Sequence, residues 1–144
     1  MTERPVMEVA AVTIGAPDPR GLSAFYAQLL GLPHVKQEFA RPGEPPESGW
    51  AQVCPADPKA GLTLNFEYEP DYVPPTWPSS AGEPQIMEHL DIAVADLEGS
   101  VAWAIAAGAT LASYQPQESV RVMLDPAGHP FCLFVDFSLP QAEP

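Results

Sequence analysis

The segments Ala11-Val-Thr-Ile-Gly-Ala-Pro-Asp18 and His89-Leu-Asp-Ile-Ala-Val-Ala-Asp96 show one pattern used twice, at a spacing of 78 residues. Each alternates apolar residues with small or polar ones, as a half-buried strand does, and each ends on an aspartate. The correspondence continues into the next segment, where Phe25 and Trp103 occupy equivalent positions. Because such internal similarity indicates a duplicated structural unit, these segments decide how the whole chain is divided.

A helix is predicted after each of these strands. Asp18 and Asp96 are good N-caps, and the apolar residues that follow recur at helical spacing until a glycine ends the run. The sequence therefore predicts helices over residues 19–30 and 97–107.

Three strand-like runs follow each helix. They cover residues 33–39, 48–54 and 62–68 in the first half, and residues 110–115, 119–125 and 131–137 in the second half. A turn of the type Asp-Pro-x-Gly, or a close variant, precedes the last run of each half, beginning at Asp57 and at Asp125. Each half is therefore a βαβββ unit.

The fold class predicted from this pattern is α+β. We expect residues 1–144 to form a single domain, a length typical of one domain. Module one covers about residues 8–68, a proline-rich linker covers residues 69–86, and module two covers about residues 87–137.

Composition excludes several classes of function. Six Lys+Arg against nineteen Asp+Glu give a net charge of −13, and the basic residues form no cluster, so we expect neither nucleic acid nor a membrane as partner. No apolar run is long enough to cross a bilayer, and the N-terminus lacks a signal-peptide pattern. Cys54 and Cys132 make no disulfide framework. A reduced, cytoplasmic protein is expected, with a preference for cationic or neutral ligands as one interpretation of its acidity.

Strand alternation separates two faces of each sheet. Apolar residues such as Leu90 and Ile92 would cover the helices, while His89 and Asp91 would point the other way. A shift of one residue would reverse these assignments. The second face is mixed, polar and small, as expected for the lining of a ligand cleft.

A βαβββ unit used twice, with an aspartate-capped helix and a late Asp-Pro-x-Gly turn, resembles the vicinal oxygen chelate superfamily of glyoxalases, bleomycin-resistance proteins and extradiol dioxygenases. Residues 72–78, 89–91 and 125–132 are similar to actinobacterial-type glyoxalase-like members. The resemblance covers nearly the whole chain. It implies a mixed sheet curled around a cavity with helices outside, and pairing of modules within one chain or across a homodimer.

In the resembled superfamily, four sheet positions hold a divalent metal. Position by position they fall on Ala11, Asn65, His89 and Cys132, and only His89 matches the usual His, Glu or Gln ligands. Alanine has no donor atom, and one imidazole with one thiol falls short of three or four ligands. The resemblance therefore implies that the metal site is lost and no cofactor is needed. A divalent metal in a site rearranged around Asp91 or Glu67 is the alternative.

Two functions of different classes remain open. The first is a non-catalytic small-molecule binder for an aromatic or cationic compound. Its candidate ligand-binding residues are Trp50, Asn65, Trp77, Arg121, Cys132 and Phe134. Arg121, which alternates with two valines, is expected to face the cleft and to pair there with a carboxylate of the protein or of the ligand. Trp77 could instead anchor the linker, and Cys132 could be an inert buried thiol.

The second function is a lyase, isomerase or dioxygenase. His89 would act as general base together with Asp91 or Glu67, because imidazole titrates near neutral pH. A hydrogen-bonded, purely structural His89 is the competing interpretation. The identity of the ligand or substrate is not contained in the sequence.

Overall fold

The computed structural model describes residues 3–57 and 59–141, and for His34 the backbone alone. Pro58, which belongs to the predicted turn at Asp57, lies outside the described residues. The chain forms two compact units, Met1–Glu69 and Pro70–Pro144. The segment predicted as a linker, residues 69–86, belongs to the second unit except for Glu69.

Both units have the predicted βαβββ order. The first contains β1 (Val12–Ala16), α1 (Pro19–Leu30), β2 (His34–Glu38), β3 (Trp50–Cys54) and β4 (Leu64–Tyr68). The second contains β5 (Asp91–Val94), α2 (Leu97–Ala107), β6 (Thr110–Leu111), β7 (Val120–Leu124) and β8 (Pro130–Val135).

Each unit holds one four-stranded mixed sheet. The strand orders are β1-β4-β3-β2 and β5-β8-β7-β6, so the last strand of each unit lies beside the first. That pair is parallel, and the remaining pairs are antiparallel. The α+β class and the duplication are confirmed, and both helices have the predicted bounds.

The helix caps follow from the two aspartates of the repeat. Asp18 Oδ1 accepts a hydrogen bond from Gly21 N at 3.1 Å, and Asp96 Oδ1 accepts one from Gly99 N at 3.1 Å. Each bond satisfies one of the four amide groups that a helix N-terminus leaves unpaired. A side chain at either glycine would collide with the capping carboxylate, which explains the glycine at both positions.

β6 is shorter than the predicted 110–115 strand because a side chain replaces its ladder. Gln115 Nε2 donates to the carbonyl oxygens of Ala112 and Val122 at 2.9 and 2.8 Å. Its Oε1 accepts from Val122 N at 2.8 Å. The amide thus takes up Val122 N, which a longer β6 would have paired, while Ala112 N still donates to Val122 O at 3.0 Å.

The two helices bury different amounts of side chain. On α1, Phe25 and Tyr26 are buried, and the Tyr26 ring stacks on Phe66 of β4 with centroids 5.7 Å apart. On α2, Ala104 is fully buried, whereas Trp103 and Ile105 are 52% and 49% exposed. Among the described residues, no helix has the length and apolar character needed to cross a bilayer.

Candidate functional site

In the second unit, the sheet face opposite α2 brings His89, Asp91 and Cys132 together. β5 and β8 are parallel with Asp91 and Cys132 in register, so both side chains project from the same face. Cys132 N donates to Leu90 O at 2.9 Å, which extends the ladder to the residue beside His89. His89 Nε2 lies 3.1 Å from Asp91 Oδ1, and one donor atom from each of the three residues lies within 4.8 Å of the others.

The cluster is open to solvent at His89 and Asp91 and partly buried at Cys132. The side chains of His89 and Asp91 are 42% and 62% exposed, while Cys132 is partly buried. Burial, and after it the charge of Asp91, raises the pKa of the Cys132 thiol above its ordinary value. The thiol is therefore protonated near neutral pH, and Cys132 is not an activated nucleophile.

The neighbouring row on the same face is apolar. Ala93 of β5 is in register with Phe134 of β8, and Phe134 is in register with Val120 of β7. Phe134 thus shares a face with Asp91 and Cys132. The side chains of this face that could bind a metal lie beyond this row, on Asp91, Cys132 and His89.

The prediction that Arg121 faces the cleft is wrong. Arg121 is in register with Leu133, which is buried on the helix-covered face, and directly opposed residues project from one face. Its Nη1 donates to the carbonyl oxygens of Gln117, Glu118 and Val120 at 3.1, 3.0 and 2.8 Å. The alternation of polar and apolar residues could not reveal which face Arg121 occupies, because both of its sequence neighbours are valines.

In the first unit, the face opposite α1 carries amides. Asn65 of β4 is in register with Thr13 of β1 and Gln52 of β3. Gln52 Nε2 donates to Asn65 Oδ1 at 2.8 Å. The predicted ligand-binding Asn65 is thus held by a cross-strand side-chain bond within its own unit.

An aromatic and acidic row lies next to these amides. Trp50 of β3 is in register with Glu67 of β4 on one side and with Glu38 of β2 on the other. Glu67 and Glu38 are exposed, and Trp50 is partly buried. Sequence reasoning identified Trp50 and Glu67 but missed Glu38 and Gln52, which the pairing of the second and third predicted strands would have placed on the same face.

Trp77 anchors the segment that precedes β5. Its Nε1 donates to Tyr114 O at 3.0 Å, and the two rings lie 5.9 Å apart. Of the two roles considered for Trp77, the anchor has this direct support, and its indole N–H is engaged by the protein.

A second anchor lies at the Asp-Pro-x-Gly turn of the second unit. Tyr72 donates its hydroxyl to Ala127 O at 2.8 Å, and its ring lies 5.0 Å from that of His129. The fully buried Asp125 carboxylate accepts from Ala127 N and His129 N at 2.9 Å and lies 2.8 Å from His129 Nδ1. This cluster fixes the backbone that leads into β8.

Residues 11–134 match the family described as the glyoxalase-like domain. The chain belongs to this family. The glyoxalase-like protein is thereby a member of the vicinal oxygen chelate superfamily, as its duplicated motifs predicted. No curated protein matches its sequence.

Solved structures show the same fold. A glyoxalase/bleomycin resistance protein/dioxygenase family enzyme from Burkholderia phytofirmans is 20% identical over 88% of this chain and 96% of its own, with a TM-score of 0.55. A mutant of the fosfomycin resistance protein FosX from Listeria monocytogenes, complexed with Mn(II) and 1S,2S-dihydroxypropylphosphonic acid, is 13% identical over 90% and 93%, with a TM-score of 0.64. The trypanothione-dependent glyoxalase I of Leishmania major is 15% identical over 90% and 87%, with a TM-score of 0.59.

Ala11, Asn65, His89 and Cys132, which the resemblance places at the four superfamily metal positions, do not supply a complete set of metal ligands. Ala11 offers no donor atom, and Asn65 offers an uncharged amide oxygen that already accepts from Gln52. The first unit thus contributes no anionic or imidazole ligand at these positions, whereas such sites need about three protein ligands. Among the residues described, one group of three His, Cys, Asp or Glu side chains lies close enough to hold a metal ion. It consists of His89, Asp91 and Cys132 of the second unit.

Proposed function

We propose that this glyoxalase-like protein is a non-catalytic binder of aromatic organic cations, which dock on the sheet face opposite α1 in the first unit. The observation that carries the proposal is the row in which Trp50 lies between Glu67 and Glu38 on adjacent strands. Neighbouring strands lie about 4.8 Å apart, so an indole and two carboxylates in one row can contact a single small ligand.

The chemistry of this row suits a cation. An indole face attracts a cationic group by about 0.5–2 kcal/mol, and carboxylates add charge complementarity. Lys36, which shares the face, lies one row away in register with Gln52, so the two carboxylates outnumber it. The net charge of −13 favours encounter with cations further.

Binding of this kind requires no metal and no cofactor. The bonded amides of Gln52 and Asn65 supply polar groups beside the row, which would orient a ligand that carries a ring nitrogen or hydroxyl. The proposed binding therefore uses side-chain charge and aromatic surface alone, unlike binding in superfamily members that hold a metal.

Isothermal titration with N-methylquinolinium and with quinoline at pH 8 tests the proposal, because the two probes differ chiefly in charge. We expect the cation to bind at least tenfold more tightly than the neutral ring, and Trp50→Ala and Glu67→Gln each to weaken cation binding about tenfold. Trp103→Ala, which removes an exposed indole of α2, is the matched control and leaves affinity unchanged. Equal binding of both probes, or indifference to Trp50→Ala, would contradict the proposal.

An enzyme of the lyase, isomerase or dioxygenase class is the second candidate. It is favoured by the 3.1 Å approach of His89 Nε2 to Asp91 Oδ1, since such a carboxylate orients an imidazole for general-base catalysis. Turnover of carbonyl or catechol compounds that falls about 10²–10⁴-fold in His89→Ala would place this function first.

We also propose that the protein is a homodimer. The proposal rests on the prevalence of closed two-fold homodimers among soluble oligomers and on the half-exposed Ile105 of α2, an apolar side chain available for self-association. Light scattering at micromolar concentration should give twice the chain mass of 15.4 kDa. A single-chain mass at that concentration would contradict the proposal.

A further inference from the structure

We propose that His89, Asp91 and Cys132 form a site for one soft divalent metal ion, such as Zn²⁺, held entirely within the second unit. This inference goes beyond the proposed binding of organic cations, which uses first-unit residues and needs no metal. It also departs from the four superfamily positions, because Asp91 becomes a ligand and the first unit contributes none.

The fold brings the three donors together by backbone register. Asp91 and Cys132 are directly paired across β5 and β8, and His89 lies two residues before Asp91 on the same face. The bond from Cys132 N to Leu90 O at 2.9 Å fixes the backbone between the other two ligands. Asp91 and Cys132 thus belong to a hydrogen-bonded strand pair, and His89 lies directly before it in sequence.

The distances are close to those of a coordination sphere. Zinc bonds of about 2.0–2.3 Å in a tetrahedron place neighbouring donors about 3.3–3.8 Å apart. Here His89 Nε2 and Asp91 Oδ1 are 3.1 Å apart, and the donor atoms of all three residues lie within 4.8 Å of one another. Closing the set around an ion requires donor movements of about 1 Å.

Charge and donor type indicate which ion is bound. A neutral imidazole, a carboxylate and a thiolate together carry two negative charges, which balance a divalent cation. A thiolate ligand selects Zn²⁺ over the harder Mn²⁺ and Mg²⁺. The solvent exposure of His89 and Asp91 leaves the fourth position to water.

Titration of the full-length protein with Zn²⁺ tests the site, after chelator has removed bound metal and with thiols kept reduced. We expect one equivalent of Zn²⁺ and at least 100-fold weaker Mn²⁺. Co²⁺ serves as a spectroscopic probe, because a cysteine thiolate bound to it gives near-ultraviolet charge-transfer absorption. No Zn²⁺ binding up to millimolar concentration would overturn the proposal.

Variants then assign the ligands. His89→Ala, Asp91→Asn and Cys132→Ser should each weaken Zn²⁺ binding more than tenfold, since even changes to groups that only hydrogen-bond to metal ligands cost about 10–100-fold in affinity. Cys132→Ser should also abolish the Co²⁺ charge-transfer band, whereas the matched Cys54→Ser, on β3 of the first unit, retains it. Circular dichroism melting confirms that each variant is folded.

Two results would overturn the one-unit site. One is a charge-transfer band that is lost in Cys54→Ser and kept in Cys132→Ser. The other is loss of Zn²⁺ affinity in Asn65→Ala as large as in His89→Ala, which would indicate a site shared with the first unit. Loss of metal binding leaves N-methylquinolinium binding by the stripped protein intact, so this proposal and the proposed function fail separately.

Discussion

The sheet faces opposite α1 and α2 carry different chemistry at equivalent positions. Thr13 and Asn65 are paired in the first unit, where Asp91 and Cys132 are paired in the second. Ala11 in the first segment of the repeat corresponds to His89 in the second. One scaffold, with one strand order and one register, therefore presents amide and aromatic groups on one copy and metal-type donors on the other. Ligand chemistry is decided by side chains on a shared backbone, and the fold does not dictate it.

The two halves should differ most in the loss of stability caused by alanine at the equivalent helix positions Phe25 and Trp103. Phe25 is 4% exposed on α1, so Phe25→Ala should lower the free energy of unfolding by about 3–5 kcal/mol. Trp103 is 52% exposed, and Trp103→Ala should cost less than about 1.5 kcal/mol. Urea unfolding measures both, and equal losses would show that the helices pack alike.

The two Asp-Pro turns provide the next comparison. Asp125 is fully buried and holds Ala127 N, His129 N and His129 Nδ1, so Asp125→Ala should cost about 2–4 kcal/mol. Asp57 is exposed and accepts from Lys59 N at 3.0 Å, so Asp57→Ala should cost less than about 1 kcal/mol. Thermal unfolding of both variants measures the two losses of stability. A larger loss for Asp57→Ala than for Asp125→Ala would contradict the prediction.

The duplication, the class and the helix bounds could be predicted because they follow from local signals. Asp18 and Asp96 cap their helices in the way their spacing to Gly21 and Gly99 requires. The end of β6 could not be predicted, because it depends on the Gln115 side chain bonding to a strand that follows it in sequence.

The candidate site was predicted in part. Period-two alternation placed His89, Asp91 and Cys132 on one face, but their closeness depends on which strands are paired and in what register. The orientation predicted for Arg121 was wrong for the same reason. Its two flanking valines do not show which face it occupies, and the register of β7 with β8 is needed to decide this. Trp77 has an intramolecular partner, Tyr114, that no local pattern identifies.

The two helix caps should behave alike, in contrast to the turns. Asp18→Ala and Asp96→Ala should each lower the free energy of unfolding by about 1 kcal/mol, because each removes one cap bond of 3.1 Å. Asparagine at either position should restore most of the loss. Denaturant unfolding of the four variants checks this, and a difference above about 1 kcal/mol between the two alanine variants would contradict the equivalence of the halves.

A smaller effect, confined to alkaline pH, is expected from Tyr72 of the second unit. Burial, followed by the charge of Asp125, raises the pKa of the Tyr72 hydroxyl above its ordinary value. The unfolded state therefore releases this proton first, so stability is present below about pH 10 and is lost as pH rises beyond that value. Unfolding measured between pH 8 and 11 should show a steeper alkaline loss in the wild type than in Tyr72→Phe. Parallel curves would contradict this assignment.

The most direct test of the division between the units is one set of titrations on two variants. Zn²⁺ and N-methylquinolinium are titrated separately into metal-free wild type, Trp50→Ala and Cys132→Ser. We predict that Trp50→Ala loses the organic cation and keeps Zn²⁺, while Cys132→Ser loses Zn²⁺ and keeps the organic cation. Loss of both ligands in either folded variant would contradict the account, because it would mean that the halves do not bind separately.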